Sequence, residues 1–299
     1  MRTPPLLSFL ALAAGLWPGG AASADGETTL DKVRRSGEIT IAYRETSMPF
    51  SYLDGSAQPV GFGYDLCLKI VDEVRRVTGR ADLKVKGFAV LSTNRIPLMQ
   101  NGTTDVECTS TTNNLERQKQ VGFSINYFYA GTRFLVKTGS PVKGLADLRG
   151  RTVVSTTGTT NYKLMRRLSD EQNLGIELLG AKDPAESALA VQTGRAEAFA
   201  MDDVLLYFLR ASAQRPTDWA VVGDALQVEP YAIMFRRDDT SFKALVDGVL
   251  SRLMASGEFE ALYTKWFLSP IPPAGVNLQI PMGRELKDNL KIRSDKPLF

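Results

Sequence analysis

The chain has no histidine in its 299 residues. That absence excludes serine–histidine–aspartate and cysteine–histidine nucleophile systems, and with them metal sites built on imidazole. Acid–base chemistry would be left to carboxylates, lysine, tyrosine or cysteine. Long apolar runs are also missing. The most hydrophobic stretch, Leu6–Trp17, is too short to span a bilayer stably. Charge of one sign does not dominate: 36 basic residues face 33 acidic ones, for a net charge of +3. No block of like charge forms the basic patch or stripe that nucleic-acid binding needs, so nucleic acid is not an expected partner. A pI near 8.8 leans slightly toward anionic ligands.

What is present begins with an export signal. Arg2 supplies the positive end, Leu6–Trp17 the apolar stretch, and Ala22-Ser23-Ala24 a small-residue cleavage site. The expectation is a secreted protein cut near Ala24. No cysteine lies near that site, which speaks against a lipid anchor. The remainder is long enough for two domains of ordinary size. It contains two cysteines, Cys67 and Cys108. Export permits a bridge between them, but a chain of this size does not need one to hold a core. Two buried thiols are the favoured expectation.

Short apolar strands alternate with amphipathic helices. Strands are expected at Glu38–Tyr43, Leu83–Lys86 and Thr104–Cys108. Helices are expected at Tyr64–Thr78, with Leu66, Ile70 and Val74 on one face and Gly79 as its stop, and at Thr93–Gln100. This βαβαβ rhythm predicts an α/β fold with a mostly parallel sheet. A long aromatic and β-branched run, Tyr127–Lys137, can leave one lobe and enter another. The rhythm then restarts. Strands follow at Arg151–Ser155, Ile176–Leu179, Ala196–Met201 and Trp219–Val222, with helices at Asn161–Gln172, Ala185–Gln192 and Asp203–Ala211. A second extended run, Tyr231–Arg236, can return the chain, followed by helices at Ser241–Ala255 and Glu258–Phe267. Pro270, Pro272 and Pro273 then introduce an irregular tail. The expected division is a signal at 1–24, a first lobe at 25–130 and 231–299, and a second lobe at 131–230.

Ligands of open α/β sheets bind beyond the carboxyl ends of the strands. Arg44, Ser92, Arg95, Ser110, Thr112 and Arg117 all follow strands of the first lobe. Thr157–Thr160 and the pair Asp202–Asp203 follow strands of the second. Three arginines suit carboxylates, which a guanidinium can bind with two parallel hydrogen bonds. The start of a helix at Thr159 and Thr160 favours an anion, and Asp202 suits an ammonium. Together these are the complements of an amino acid. Each feature also has a plainer role: a solvated arginine, a helix cap, or, for Tyr52, Phe62, Tyr64 and Tyr231, a place in the core. Their agreement in position and charge favours the functional reading.

Several segments add a resemblance: TLDKV at Thr29–Val33, RETSMPFSY at Arg44–Tyr52, NRIPLMQNG at Asn94–Gly102, STTNNLERQK at Ser110–Lys119, GTT at Gly158–Thr160, MDDVL at Met201–Leu205 and WFLSPIPP at Trp266–Pro273. In order and spacing the chain resembles the periplasmic glutamate/aspartate-binding branch of the polar amino-acid solute-binding proteins of ABC transporters. The resemblance implies a two-lobed periplasmic binding protein type II fold, hinged by two crossing strands. The ligand would be L-glutamate or L-aspartate, delivered to an inner-membrane permease by a monomer that needs no cofactor or metal. It also implies roles. Arg44, Ser92 and Arg95 would grip the side-chain carboxylate. Arg117, Ser110, Thr112 and Thr160 would grip the α-carboxylate, and Asp202 the ammonium. Thr159 would be a neighbour. Pro184 departs from the family pattern, which carries a histidine there, so aspartate and glutamate need not be bound alike. Two other functions fit the fold. One is an exported cyclohexadienyl dehydratase-like enzyme, with Asp202, Asp203 or Glu107 as its acid–base candidates. The other is an amino-acid sensor component.

Overall fold

The computed structural model describes residues 26–298. The expected export signal, Met1–Ala24, lies outside the described residues. In chain order the elements are α1 (Thr29–Ser36), β1 (Glu38–Tyr43), β2 (Thr46–Ser47), β3 (Ser51–Leu53), β4 (Pro59–Val60), α2 (Phe62–Thr78), β5 (Lys84–Ala89), α3 (Arg95–Gln100), β6 (Val106–Glu107), α4 (Leu115–Gln118) and β7 (Val121–Lys137). There follow β8 (Thr152–Thr156), α5 (Thr160–Glu171), β9 (Glu177–Ala181), α6 (Pro184–Gln192), β10 (Ala198–Asp202), α7 (Asp203–Ser212), β11 (Trp219–Val222), β12 (Val228–Arg236), α8 (Thr240–Ser256), α9 (Glu258–Phe267) and α10 (Arg284–Ile292).

Two sheets share the strand β7. In the first lobe β1 lies between β5 and β6, parallel to both, with Glu38 opposite Lys84 and Ile41 opposite Val106. β12 then runs antiparallel to β6, and β7 antiparallel to β12, from Val228 opposite Gly131 to Arg236 opposite Val121. Beyond Gly131 the same β7 changes partners. Thr132–Leu135 pair with β10, and Phe134–Lys137 with β11. Parallel β8 and β9 complete the second lobe beside β10. At about 3.3 Å per residue, the 17 residues of β7 extend roughly 55 Å, enough to serve both lobes. Its nearly continuous burial explains the long apolar and aromatic run.

The second lobe has its own apolar centre around Phe134, Val153, Met165 and Ala200. The first lobe packs α2, α8 and α9 against its sheet through Phe62, Leu66, Ile70, Phe242, Phe259 and Phe267. Tyr52, Phe62 and Tyr231 are buried, and Tyr64 is half-buried.

Two sequence expectations need correction, and one element was not foreseen. Cys67 and Cys108 form a disulfide, with Cα atoms 5.7 Å apart, and are not free thiols. Gly63 is the physical reason. It lies one helical turn before Cys67 on the same face of α2, and a Cβ there would stand 2.1 Å from the Cys108 carbonyl oxygen. With no side chain at 63, the helix seats against that backbone and places Cys67 beside Cys108. The tail beyond the prolines is not all irregular. Arg284–Ile292 is a helix that buries Leu286 and Asn289. Asn289 donates to the Asn126 carbonyl, and Asn126 in turn donates to Lys296, tying the tail to β7. Finally, the small sheet β2–β3–β4 had no sequence signal, because its strands are only two or three residues long.

Candidate functional site

The expected site residues converge where the two lobes meet. Arg44 follows β1, Ser92 lies just before α3 and Arg95 opens it, Ser110 and Thr112 follow β6, and Arg117 lies in α4. Thr159 caps α5, Thr160 begins it, and Asp202 ends β10. All nine are buried. Arg44, Ser92, Arg95, Ser110, Thr112, Thr159, Thr160 and Asp202, joined by Asn161 and Met201, line a small cavity of about 10 Å³. That is room for about one water molecule in this closed arrangement, far below the ~300–1,000 Å³ usual for drug-sized ligands, so a ligand enters only as the lobes part. Pro184 is not among the lining residues; it is buried at the first turn of α6.

The lobes stand closed over this cavity. Arg117 reaches across with Nη2 to the Gly158 carbonyl at 3.3 Å, and Nη1 holds the Thr112 carbonyl at 2.9 Å. The Thr112 and Thr160 hydroxyls are 3.3 Å apart. Lys163 pairs with Glu116 at the rim. Gly158 lets the backbones meet. Its φ is +77°, and a Cβ there would stand 2.7 Å from the Ser92 carbonyl carbon.

The three arginines act on one another. Burial pulls Arg44 down to about 10, with the charge of Arg95 as the next cause. Arg117 is pulled down to about 10 for the same two reasons. Arg44 donates from Nη1 to Ser92 Oγ at 2.8 Å. Arg95 donates to Thr111 and lies 3.6 Å from Glu107, while its buried Nε has no hydrogen-bond partner among the described residues. An unpaired donor on a buried cation costs free energy until an acceptor arrives. A ligand carboxylate is such an acceptor.

The run after β6 alternates. Thr109 and Thr111 turn away from the cavity and donate to the buried Glu107, whereas Ser110 and Thr112 line the cavity. Glu107 therefore lies beneath the site. On the second lobe, Thr159 spends its hydroxyl on the cap, accepting from the Tyr162 N–H and donating to Thr156. The N–H groups of Thr160 and Asn161 open α5 without intrahelical acceptors. Asp202 accepts from Asn161 and Tyr231. Burial, followed by the charge of Glu229, pushes it up to about 7. Asp203 is turned to the Gly131 N–H at the crossing strand, and burial raises it too.

Sequence reasoning missed Glu229 and the role of Tyr231. Glu229 is fully buried and accepts from the hydroxyls of both Thr112 and Thr160. Its signal was a lone carboxylate entering an apolar strand, Val228–Arg236.

Two lobes meeting on a small charged cavity, with the chain crossing on β7 and β12, is the architecture of a binding protein. Residues 39–269 match the family described as bacterial extracellular solute-binding proteins, family 3. The chain belongs to that family. Among the relatives of this solute-binding protein is an L-glutamate/L-aspartate-binding protein of Pseudomonas aeruginosa, 43% identical over 99% of the chain and 98% of the relative. A glutamate/aspartate import solute-binding protein of Escherichia coli is 43% identical over 97% and 96%. A solved structure of an ancestral arginine-binding protein bound to arginine superposes with a TM-score of 0.69. It is 27% identical and covers 77% of this chain and 98% of that one.

Proposed function

We propose that this solute-binding protein captures glutamate or aspartate between its lobes and delivers it to the membrane permease of an ABC transporter. The observation that carries the reading is the cavity's asymmetry of charge. Buried cations Arg44 and Arg95 line it from the first lobe, with Arg117 beside it on the Thr112 and Gly158 carbonyls, while Asp202 offers an acceptor from the second. A ligand with two carboxylates and one ammonium complements that set. Arg44, Ser92 and the free Nε of Arg95 would take the side-chain carboxylate. Arg117 and the first N–H groups of α5 would take the α-carboxylate, and Asp202 and Ser110 the ammonium. The names of the relatives at 43% identity support the choice of acidic amino acids.

In this reading the lobes comprise 25–130 with 231–299, and 131–230. Met1–Ala24 is removed on export to the periplasm. The ligand docks on the arginine-bearing lobe and favours closure, because Thr160 and Asp202 contact it only in the closed state. No chemical step is assigned. Of the three carboxylates with acid–base potential, Glu107 is committed to Thr109, Thr111 and Arg95, and Asp203 to the crossing strand. Asp202 alone lines the cavity.

A thermal-shift screen of the standard amino acids tests the reading, because a ligand that binds only the folded state raises its melting temperature. Glutamate and aspartate should give the largest shifts. A larger shift with arginine, or with a neutral amino acid, would overturn the assignment. Incubation with prephenate or arogenate should leave the ultraviolet spectrum unchanged.

A further inference from the structure

We propose that Glu229 sets the polarity of the ammonium subsite from behind. The inference rests on the amino-acid reading above. Thr112 comes from the first lobe and Thr160 from the second, both residues line the cavity, and their hydroxyls are 3.3 Å apart. Each also contacts the same carboxylate oxygen of Glu229, Oε2, while Oε1 accepts from Gln227. A hydroxyl has one proton to donate and two lone pairs. With both protons pointed at Glu229, Thr112 and Thr160 turn lone pairs toward the cavity. They then act as acceptors, suited to an ammonium and unsuited to a carboxylate. This moves the two hydroxyls from the α-carboxylate, where the sequence resemblance put them, to the amino group.

One strand organises the whole subsite. Glu229 and Tyr231 are two residues apart on β12 and so point to the same face. Glu229 orients the two threonines, and Tyr231 donates to Asp202. The two residues do not line the cavity. Glu229 is therefore a positioning residue: it acts on the ligand through Thr112 and Thr160. Because those threonines belong to different lobes, this carboxylate has both partners only when the lobes are closed.

The charge of Glu229 is what matters in this arrangement. An amide at 229 would keep its carbonyl oxygen toward Gln227, whose own oxygen accepts from Arg167, and would put its NH2 where Oε2 stood, donating to both hydroxyls and releasing the threonine protons toward the cavity. The test compares ligands with and without the amino group: glutamate with glutarate, aspartate with succinate, and glutamine with its deamino counterpart. Affinities are measured by calorimetry on the wild-type protein and Glu229→Gln. The wild type should prefer the amino form of its ligand. In Glu229→Gln that preference should narrow by about tenfold or more, the weight of one charge-assisted hydrogen bond. If Glu229→Gln does not fold, Thr112→Val takes its place, because loss of the Thr112 lone pairs should narrow the same ratio. A fall of both affinities with the ratio unchanged overturns the role of Glu229 and leaves the acidic-ligand reading intact. A narrowed ratio seen only for the glutamine pair upholds Glu229 and overturns the acidic reading. A wild type that prefers no amino form overturns both.

Discussion

Asp202 makes the binding reaction sensitive to pH, with a definite sign. Burial and the nearby charge of Glu229 push its carboxyl up to about 7. A ligand ammonium beside it favours the ionised form and returns the pKa toward the ordinary carboxylate range. Binding therefore releases a proton below pH 7. The affinity is constant where Asp202 is already ionised and falls as pH drops through 7. Each unit is worth about 1.4 kcal/mol, so the loss is about tenfold at pH 6 and about a hundredfold at pH 5 relative to pH 8. The carboxylates of a free acidic amino acid stay ionised over this range and do not produce the trend, since their pKa values lie near or below about 4.3. Titration calorimetry at pH 8, 7, 6 and 5 reads the affinity. Repeating pH 6 in two buffers of different ionisation enthalpy counts the protons, and about 0.9 should leave per ligand bound. Melting curves at each pH separate loss of binding from loss of fold. Proton release near zero at pH 6, with an affinity independent of pH, would refute the pairing of Asp202 with the ammonium.

Three further outcomes are expected. Arg44→Ala and Arg95→Ala should weaken glutamate far more than glutamine, whereas Arg117→Ala should weaken both alike; equal losses in all three variants would remove the division of labour. Gly158→Ala should prevent full closure, since its Cβ would meet the Ser92–Thr93 backbone at 2.7–2.8 Å from a left-handed φ. Small-angle scattering should then show a larger radius of gyration, and at least about tenfold weaker binding should accompany it. Reducing the Cys67–Cys108 bridge, which closes a 41-residue separation, should cost about 4 kcal/mol of stability by chain entropy, seen in urea denaturation with and without reductant.

The order of elements was legible in the chain because periodicity is local. The helix α2, the strand β1 and the restart at β8 each carry a pattern that neighbouring residues set alone. The gathering of the candidate residues was legible for a related reason: in an α/β sheet, residues just beyond strand ends share one edge. Thus Arg44, Arg95, Ser110, Thr112 and Asp202 could be grouped before any contact was known. The absence of histidine likewise fixed which chemistries were open.

Other features depend on contacts between residues far apart in sequence. Cys67 and Cys108 are paired because Gly63 lets α2 lie against the backbone at Cys108, a distance no spacing rule reports. Thr109 and Thr111 serve Glu107, while Ser110 and Thr112 serve the cavity, because the pleat sends them to opposite sides. Glu229 reads as one charge in an apolar strand until folding brings Thr112, 117 residues earlier, and Thr160, 69 residues earlier, onto the same oxygen. The sequence by itself determined the kinds of groups this protein carries and the edge of the sheet on which they gather. Only the tertiary structure decided which way their protons point, because a hydroxyl takes its polarity from its partner, and here the partner lies on the crossing strand.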